Sequence, residues 1–136
     1  MDKALLEAFN RTKYFVDSLN TFMLVGHQNY VIDDWLTKMN QEKAFFITAY
    51  NPMSRQLPDK ENEKRNNRLV KELKKYTYLH GRGKDPKHTW PAEESYLVTK
   101  VHEEVIKKLM QDFEQLAYIR YLRGRSAELI LLNPSS

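Results

Sequence analysis

The stretch that decides the fold is AFFITAYNPMS, residues 44–54, in which an apolar run passes directly into a short polar turn. Residues 44–49 predict a β-strand, and their continuous apolar character is typical of a central strand that is buried on both faces. The turn that follows contains Asn51, Pro52 and Ser54. Because ligands in α/β sheets bind at strand ends, this turn is a candidate site.

Outward from this strand, the pattern predicts alternating helices and strands. Before it we expect a helix at 4–9, a hairpin of strands at 12–17 and 21–25, and a helix at 31–39. After it we expect a helix at 58–76, a strand at 76–80, a loop at 81–93, a strand at 95–99, a helix at 101–113, and strands at 116–122 and 128–132.

This order predicts an α+β (or mixed α/β) fold, a single mixed β-sheet with packed helices. Residues 44–122 follow the β-α-β-β-α-β order of a ferredoxin-like core, preceded by an N-terminal helix and β-hairpin. A mixed three-layer sheet is the alternative. The length of 136 residues predicts one domain over 1–136, with a frayed tail at 133–136.

The amino-acid composition excludes several classes of protein and of functional site. The chain is 41% hydrophobic, which favours a folded protein, and it has no cysteine for disulfides or thiolate chemistry. The first residues lack the apolar run of a signal peptide, and no run reaches the length of a membrane span, so we expect a cytoplasmic protein with no membrane partner. The four histidines show no metal-ligand spacing, so neither a metal nor a cofactor is predicted.

The net charge of +4 is unevenly distributed, because residues 55–87 hold 11 Lys and Arg against 5 Asp and Glu. Such a segment attracts phosphates, carboxylates or nucleic acid, or it is simply the solvated face of a helix. Tyr76, Tyr78 and Trp90 could stack on bases, which makes nucleic acid a candidate partner. No recognisable nucleic-acid-binding motif supports that alternative.

Polar side chains cluster near the turn. Asn51 and Ser54 either clamp a ligand or hydrogen-bond their own turn. Asn62, an unfavourable residue inside a helix, either faces inward to orient a ligand or hold the preceding loop, or faces solvent. Arg65 follows on a neighbouring position of the same helix and could neutralise an anionic ligand.

The loop after the predicted strand at 76–80 is the next candidate. Its Gly81-x-Gly83 pair would let the backbone approach a ligand, and Arg82 and Lys84 would add positive charge. It matches neither a P-loop nor a dinucleotide fingerprint, so a plain surface loop is an equal alternative.

Two further polar positions flank strands. Glu93, beside Trp90 and next to Glu94, could have a raised pKa and act as a general acid or base, or it could pair with the basic helix. Ser95 follows it. Gln115 could reach the same site or cap the preceding helix.

Five ordered segments carry a family resemblance. They are FITAYNP at 46–52 with Ser54, Glu61-Asn62 with Leu69, GRGKDP at 81–86, WPAEESYLV at 90–98, and FEQLA at 113–117. In this order they resemble the bacterial domain-of-unknown-function family numbered 3293. One departure is Glu114, where the family usually has glycine. The resemblance implies no activity, but it groups Asn51, Ser54, Asn62, Glu93, Ser95 and Gln115 in a shared pocket.

Three functions remain open at this stage. The first is a pocket for a small polar or phosphorylated ligand, with Glu93 as its base if the protein is an enzyme. The second is an interaction or regulatory module, in which the apolar last strand, 128–132, pairs with a second copy. The third is nucleic-acid binding through the basic segment.

Overall fold

The computed structural model describes residues 1–87 and 91–132, which form four α-helices and seven β-strands. The helices are α1 (Lys3–Arg11), α2 (Tyr30–Met39), α3 (Asp59–Leu73) and α4 (Glu103–Asp112). The strands are β1 (Lys13–Val16), β2 (Thr21–Met23), β3 (Lys43–Ile47), β4 (Thr77–Lys84), β5 (Glu93–Thr99), β6 (Ala117–Leu122) and β7 (Glu128–Leu131). None of these helices has both the length and the apolar character needed to cross a membrane.

All seven strands form one sheet in the order β2-β1-β4-β5-β3-β6-β7. The middle four strands, β4-β5-β3-β6, have the strand order and directions of a ferredoxin-like core, so the α+β prediction is confirmed. The sheet is antiparallel at every strand pair rather than mixed. The reason is that α3 and α4 each join two strands with a third, antiparallel strand between them.

Helices cover both faces of the sheet. Successive strand residues point to opposite faces, so each face is apolar and packs against helices in its own hydrophobic cluster. On one face, which we call the α2 face, Phe46, Leu97 and Ile119 pack with Leu36 of α2. On the other, the α3–α4 face, the adjacent residues Phe45, Val98 and Tyr118 pack with side chains of α3 and α4. β3 is therefore buried on both sides, as its apolar run predicts.

Strand β4 extends to Lys84, four residues beyond its predicted end, so the Gly81-x-Gly83 pair lies in a strand and not in a loop. A Cβ on Gly81 would lie 2.3 Å from the carbonyl oxygen of Phe15 and 2.9 Å from the ring of Phe46. Glycine is required here because the backbone of β1 and the core approach this position closely.

The sheet curls until its two edges meet at one end. The N–H of Gly26, after β2, donates to the carbonyl oxygen of Ala127, before β7, over 2.8 Å. The N–H of Ala127 in turn donates to the carbonyl of His27 over 2.9 Å. β7 is an edge strand, as predicted for the last strand, whereas the predicted frayed tail at 133–136 lies outside the described residues.

Candidate functional site

A cavity of about 130 Å³ opens at the edge of the sheet where β3 and β4 end and β5 and β6 begin. A cavity of about 150 Å³ can hold benzene, so this one holds a group of roughly six non-hydrogen atoms, and a larger ligand would extend into its open mouth. Five of the predicted site residues line it: Asn51, Ser54, Glu93, Ser95 and Gln115. Much of the remaining wall consists of aromatic and hydroxyl side chains, including Thr12, Tyr14, Phe46, Thr48 and Tyr50.

Asn51 connects the turn after β3 to the cavity. Its backbone is left-handed, with φ 49°, a conformation that asparagine adopts more readily than most residues. Its Nδ2 donates to Oε2 of Glu93 over 2.7 Å, while its Oδ1 accepts from the N–H of Leu57 over 3.0 Å. One end of the Asn51 amide therefore holds its own loop, and the other end faces a carboxyl group of the cavity.

Asn62 and Asn66, one turn apart on α3, are buried and hold the loop from behind. Asn62 accepts from the N–H of Asn51 over 2.8 Å and donates to Oδ1 of Asn51 over 2.8 Å. Asn66 accepts from the N–H of Ala49 over 2.9 Å and donates to the carbonyl of Glu94 over 2.9 Å. Asn62 thus faces inward and holds the preceding loop without lining the cavity.

Glu93 is the charged side chain among the described residues that line the cavity. Burial raises its pKa to about 7, and the hydrogen bond from Asn51 partly opposes that rise. The carboxyl group can therefore gain or lose a proton near neutral pH, as a general acid or base must. The adjacent Glu94 is exposed and lies on the opposite face of β5, as alternation requires. Trp90, expected beside Glu93, lies outside the described residues.

Ser95, Gln115 and Ser54 complete the polar wall. The buried Ser95 donates from Oγ to the carbonyl oxygen of Glu93 over 2.9 Å. Gln115 donates from Nε2 to the carbonyl oxygen of Tyr50 over 3.0 Å, so it ties the end of α4 to the turn. Ser54 is exposed, with φ 58°, at the mouth of the cavity.

The three cations expected to neutralise an anionic ligand are not brought to this cavity. The side chain of Arg65 binds main-chain carbonyl oxygens, at 2.8 Å from Ala49 and also at Phe113. Arg82 and Lys84 are exposed on the face of β4 opposite to the cavity-lining Gly83, because successive strand residues point to opposite faces.

One family model matches this chain. The family model described as protein of unknown function, DUF3293, matches residues 47–118 of the chain. The chain belongs to this family. The DUF3293 match includes every predicted site residue but excludes Tyr14 of β1 and Thr12, the C-cap residue of α1, which also line the cavity. No curated protein and no solved structure matches the chain.

The structure gives a physical reason for the glycine that the family resemblance leads us to expect at position 114. Glu114 has φ 57° and directly follows the C-cap residue of α4. Its N–H donates to Gln111 over 3.0 Å, and that of Gln115 donates to Met110 over 2.9 Å, which together form a Schellman motif. Glutamate adopts this conformation at a cost that glycine avoids.

Thr12, Tyr14 and Asn66 are among the residues of this site that were not predicted from the sequence. Thr12 and Tyr14 could not be placed, because no local signal shows that β1 lies beside β4. Asn66 had a signal, since Asn62, Asn66, Leu69 and Leu73 follow the helical repeat of the buried face of α3.

Proposed function

We propose that this protein binds a small polar molecule in the cavity at the end of β3, and that Glu93 exchanges a proton with the bound molecule. The observation that carries the proposal is the convergence of Asn51, Glu93, Ser95 and Gln115, from three separate segments, on one cavity. If the bound molecule is turned over, the protein is an enzyme and Glu93 is its general acid or base.

A phosphorylated ligand is the less favoured form of this proposal. A phosphate group needs N–H donors and positive charge, and no Lys, Arg or His is among the cavity-lining residues in the described part of the chain. The carboxyl group of Glu93 would also repel it whenever that group is ionised.

The proposal can be tested by thermal denaturation with a panel of small metabolites. A ligand present at 100 times its Kd should raise the melting temperature by roughly 8 °C, since binding to the folded state alone stabilises it. We expect the rise to be lost in Glu93→Gln and retained in Glu94→Gln, whose side chain lies on the other face. The proposal fails if no compound raises the melting temperature, or if Glu93→Gln responds like the wild type.

A second candidate function is pairing of β7 with another chain. The N–H of Leu132 donates to the carbonyl of Leu116 over 2.8 Å, so alternation directs the N–H groups of Leu129 and Leu131 away from β6. Leu131 is also 50% exposed. An apolar edge of this kind can form a homodimer, and a monomeric mass at high concentration would count against it.

Nucleic-acid binding through the basic segment is the weakest candidate. Tyr76 and Tyr78 are half-buried and pack on the α3–α4 cluster, so little ring surface is left for bases. Trp90 lies outside the described residues. A gel shift at low salt tests this candidate directly. A bacterial origin and a cytoplasmic location remain predictions from the sequence.

A further inference from the structure

We propose that the ligand of this cavity is a small organic cation, such as an ammonium or amidinium ion, bound through its N–H groups. The inference rests on the proposed function, because it names the class of molecule that the same cavity takes. It follows from the hydrogen-bonding capacity that the lining side chains have left to offer.

Four of the hydroxyl groups that line the cavity already donate their hydrogens within the protein. Thr12 and Tyr14 each donate to a main-chain carbonyl oxygen of α1 over 2.6 Å. Thr48 donates to a main-chain oxygen of β5 over 2.6 Å, and Ser95 donates to another over 2.9 Å. A hydroxyl group has one hydrogen and two lone pairs, so these four groups can offer a ligand only acceptors.

The side-chain amide groups of Asn51 and Gln115 also donate hydrogen bonds within the protein. The Nδ2 of Asn51 donates to Glu93, and the Nε2 of Gln115 donates to the carbonyl oxygen of Tyr50. What Gln115 and Glu93 can still offer is therefore chiefly oxygen lone pairs. Ser54 and Gln56 retain donors, but both lie at the exposed mouth. Deeper in the cavity, the donors that remain among the described residues are the second N–H of Asn51 and the hydroxyl group of Tyr50, so oxygen acceptors still predominate there.

The charges and rings of the cavity favour the same class of ligand. The carboxyl group of Glu93 lies in the wall with no described Lys, Arg or His side chain beside it among the lining residues. Tyr14, Phe46 and Tyr50 add aromatic surface, and ring faces attract cations. A donor-rich cation satisfies the free acceptors, whereas an anion would leave them unpaired and face a carboxylate.

Three molecules of nearly identical shape separate the alternatives. Benzamidinium is a cation with four N–H donors, benzamide is neutral with two, and benzoate is an anion with none. Each has nine non-hydrogen atoms, so the cavity, which holds roughly six, would take the polar group and part of the ring and leave the rest in the open mouth. Binding is measured by NMR titration of backbone amides in the wild type, in Glu93→Gln, and in the matched control Glu94→Gln.

We expect benzamidinium to bind the wild type and Glu94→Gln at least about tenfold more tightly than benzamide, and benzoate to bind most weakly. In Glu93→Gln, which keeps the size of the side chain but loses its charge, the preference for the cation should fall about tenfold. The shifted amides should include those of residues 51, 93 and 115.

The inference is overturned if benzamide or benzoate binds at these residues as tightly as benzamidinium, and the proposed function then still stands. It is also overturned if the preference for the cation survives in Glu93→Gln, or if none of the three molecules shifts the cavity amides at millimolar concentration. The proposed function fails as well if the metabolite panel also yields no ligand, or if Glu93→Gln responds to that panel like the wild type.

Discussion

The side-chain amide of Asn51 donates a hydrogen bond of 2.7 Å to the carboxyl group of Glu93, which lies 42 residues further along the chain. This contact links the turn after β3 to the start of β5 and fixes one end of the cavity wall. Asn51 is itself held by Asn62 from behind, so the helix, the turn and the carboxyl group form one connected set of hydrogen bonds.

The first prediction concerns pH. The pKa of Glu93 is raised to about 7, so between about pH 4.5 and 7 the folded state binds a proton that the unfolded state has lost. The free energy of unfolding should therefore fall as pH rises through this window, by at most about 3 kcal/mol from this group. Urea denaturation of the wild type and of Glu93→Gln across pH 4–8 measures the difference.

Glu93→Gln should remove this contribution and be the more stable protein above pH 7, because a neutral amide has no charge to desolvate. Glu94→Gln, which changes the same charge on the exposed face, should follow the wild-type curve. Parallel curves for Glu93→Gln and the wild type would show that the carboxyl group is not desolvated.

A second prediction concerns the buried asparagine behind the loop. Asn62→Ala removes the acceptor for the N–H of Asn51 and donors to Asn51 and Leu57, and leaves buried polar groups unpaired. We expect a loss of about 2–3 kcal/mol in the free energy of unfolding. The matched control is Asn67→Ala, an exposed asparagine on the same helix, which should cost less than about 0.5 kcal/mol. Equal effects of the two substitutions would refute the role given to Asn62.

A third prediction tests the cap of α4. Glu114→Gly relieves a left-handed backbone at φ 57° and should stabilise the protein by about 0.5–1 kcal/mol. Its ion pair with Arg65 spans 3.7 Å, and the side chain is 54% exposed, so little is lost with it. Gln111→Gly, inside the helix, should instead destabilise by about 1 kcal/mol. Thermal denaturation of both variants decides the point.

A fourth prediction compares two glycines on one face of β4. Gly81→Ala places a Cβ 2.3 Å from the oxygen of Phe15 and should cost more than about 2 kcal/mol. In Gly83→Ala the new Cβ lies 3.8 Å from Thr12, an ordinary contact, so the cost should stay below about 1 kcal/mol. Chemical denaturation checks the order, and a reversed order would show that β4 is not packed as described.

Much of the fold could be predicted because local signals and packing agree. The apolar run at 44–49 specifies a buried strand whatever its neighbours are, and β3 is indeed internal in the sheet. The loop predicted at the glycines 81 and 83 was wrong, because glycine in a local pattern indicates a loop. In the structure Gly81 allows the backbone of β1 to approach closely, and Gly83 lines the cavity. That requirement comes from strand order, which a local pattern does not contain.

Part of the candidate site could likewise be predicted from the sequence, and part of it could not. Side chains at strand ends, such as Asn51 and Glu93, could be proposed because a strand end limits where they point. The partners of Arg65 could not, because they depend on where the last turn of α4 meets the turn after β3. The charge of Arg65 predicted an anionic ligand, but in the structure its N–H groups donate to main-chain carbonyl oxygens.

The claim that this cavity binds a small polar molecule is tested most directly by a substitution that fills the cavity. Gly83→Val directs a branched side chain from β4 into the space beside Thr12 and Tyr14, and its own melting temperature reports whether it folds. The melting temperatures of the wild type and of this variant are measured with the panel of metabolites, amines and amidines. We expect at least one compound to raise the melting temperature of the wild type, and we expect that rise to be lost in Gly83→Val. An equal rise in a folded Gly83→Val, or no rise in either protein, would contradict it.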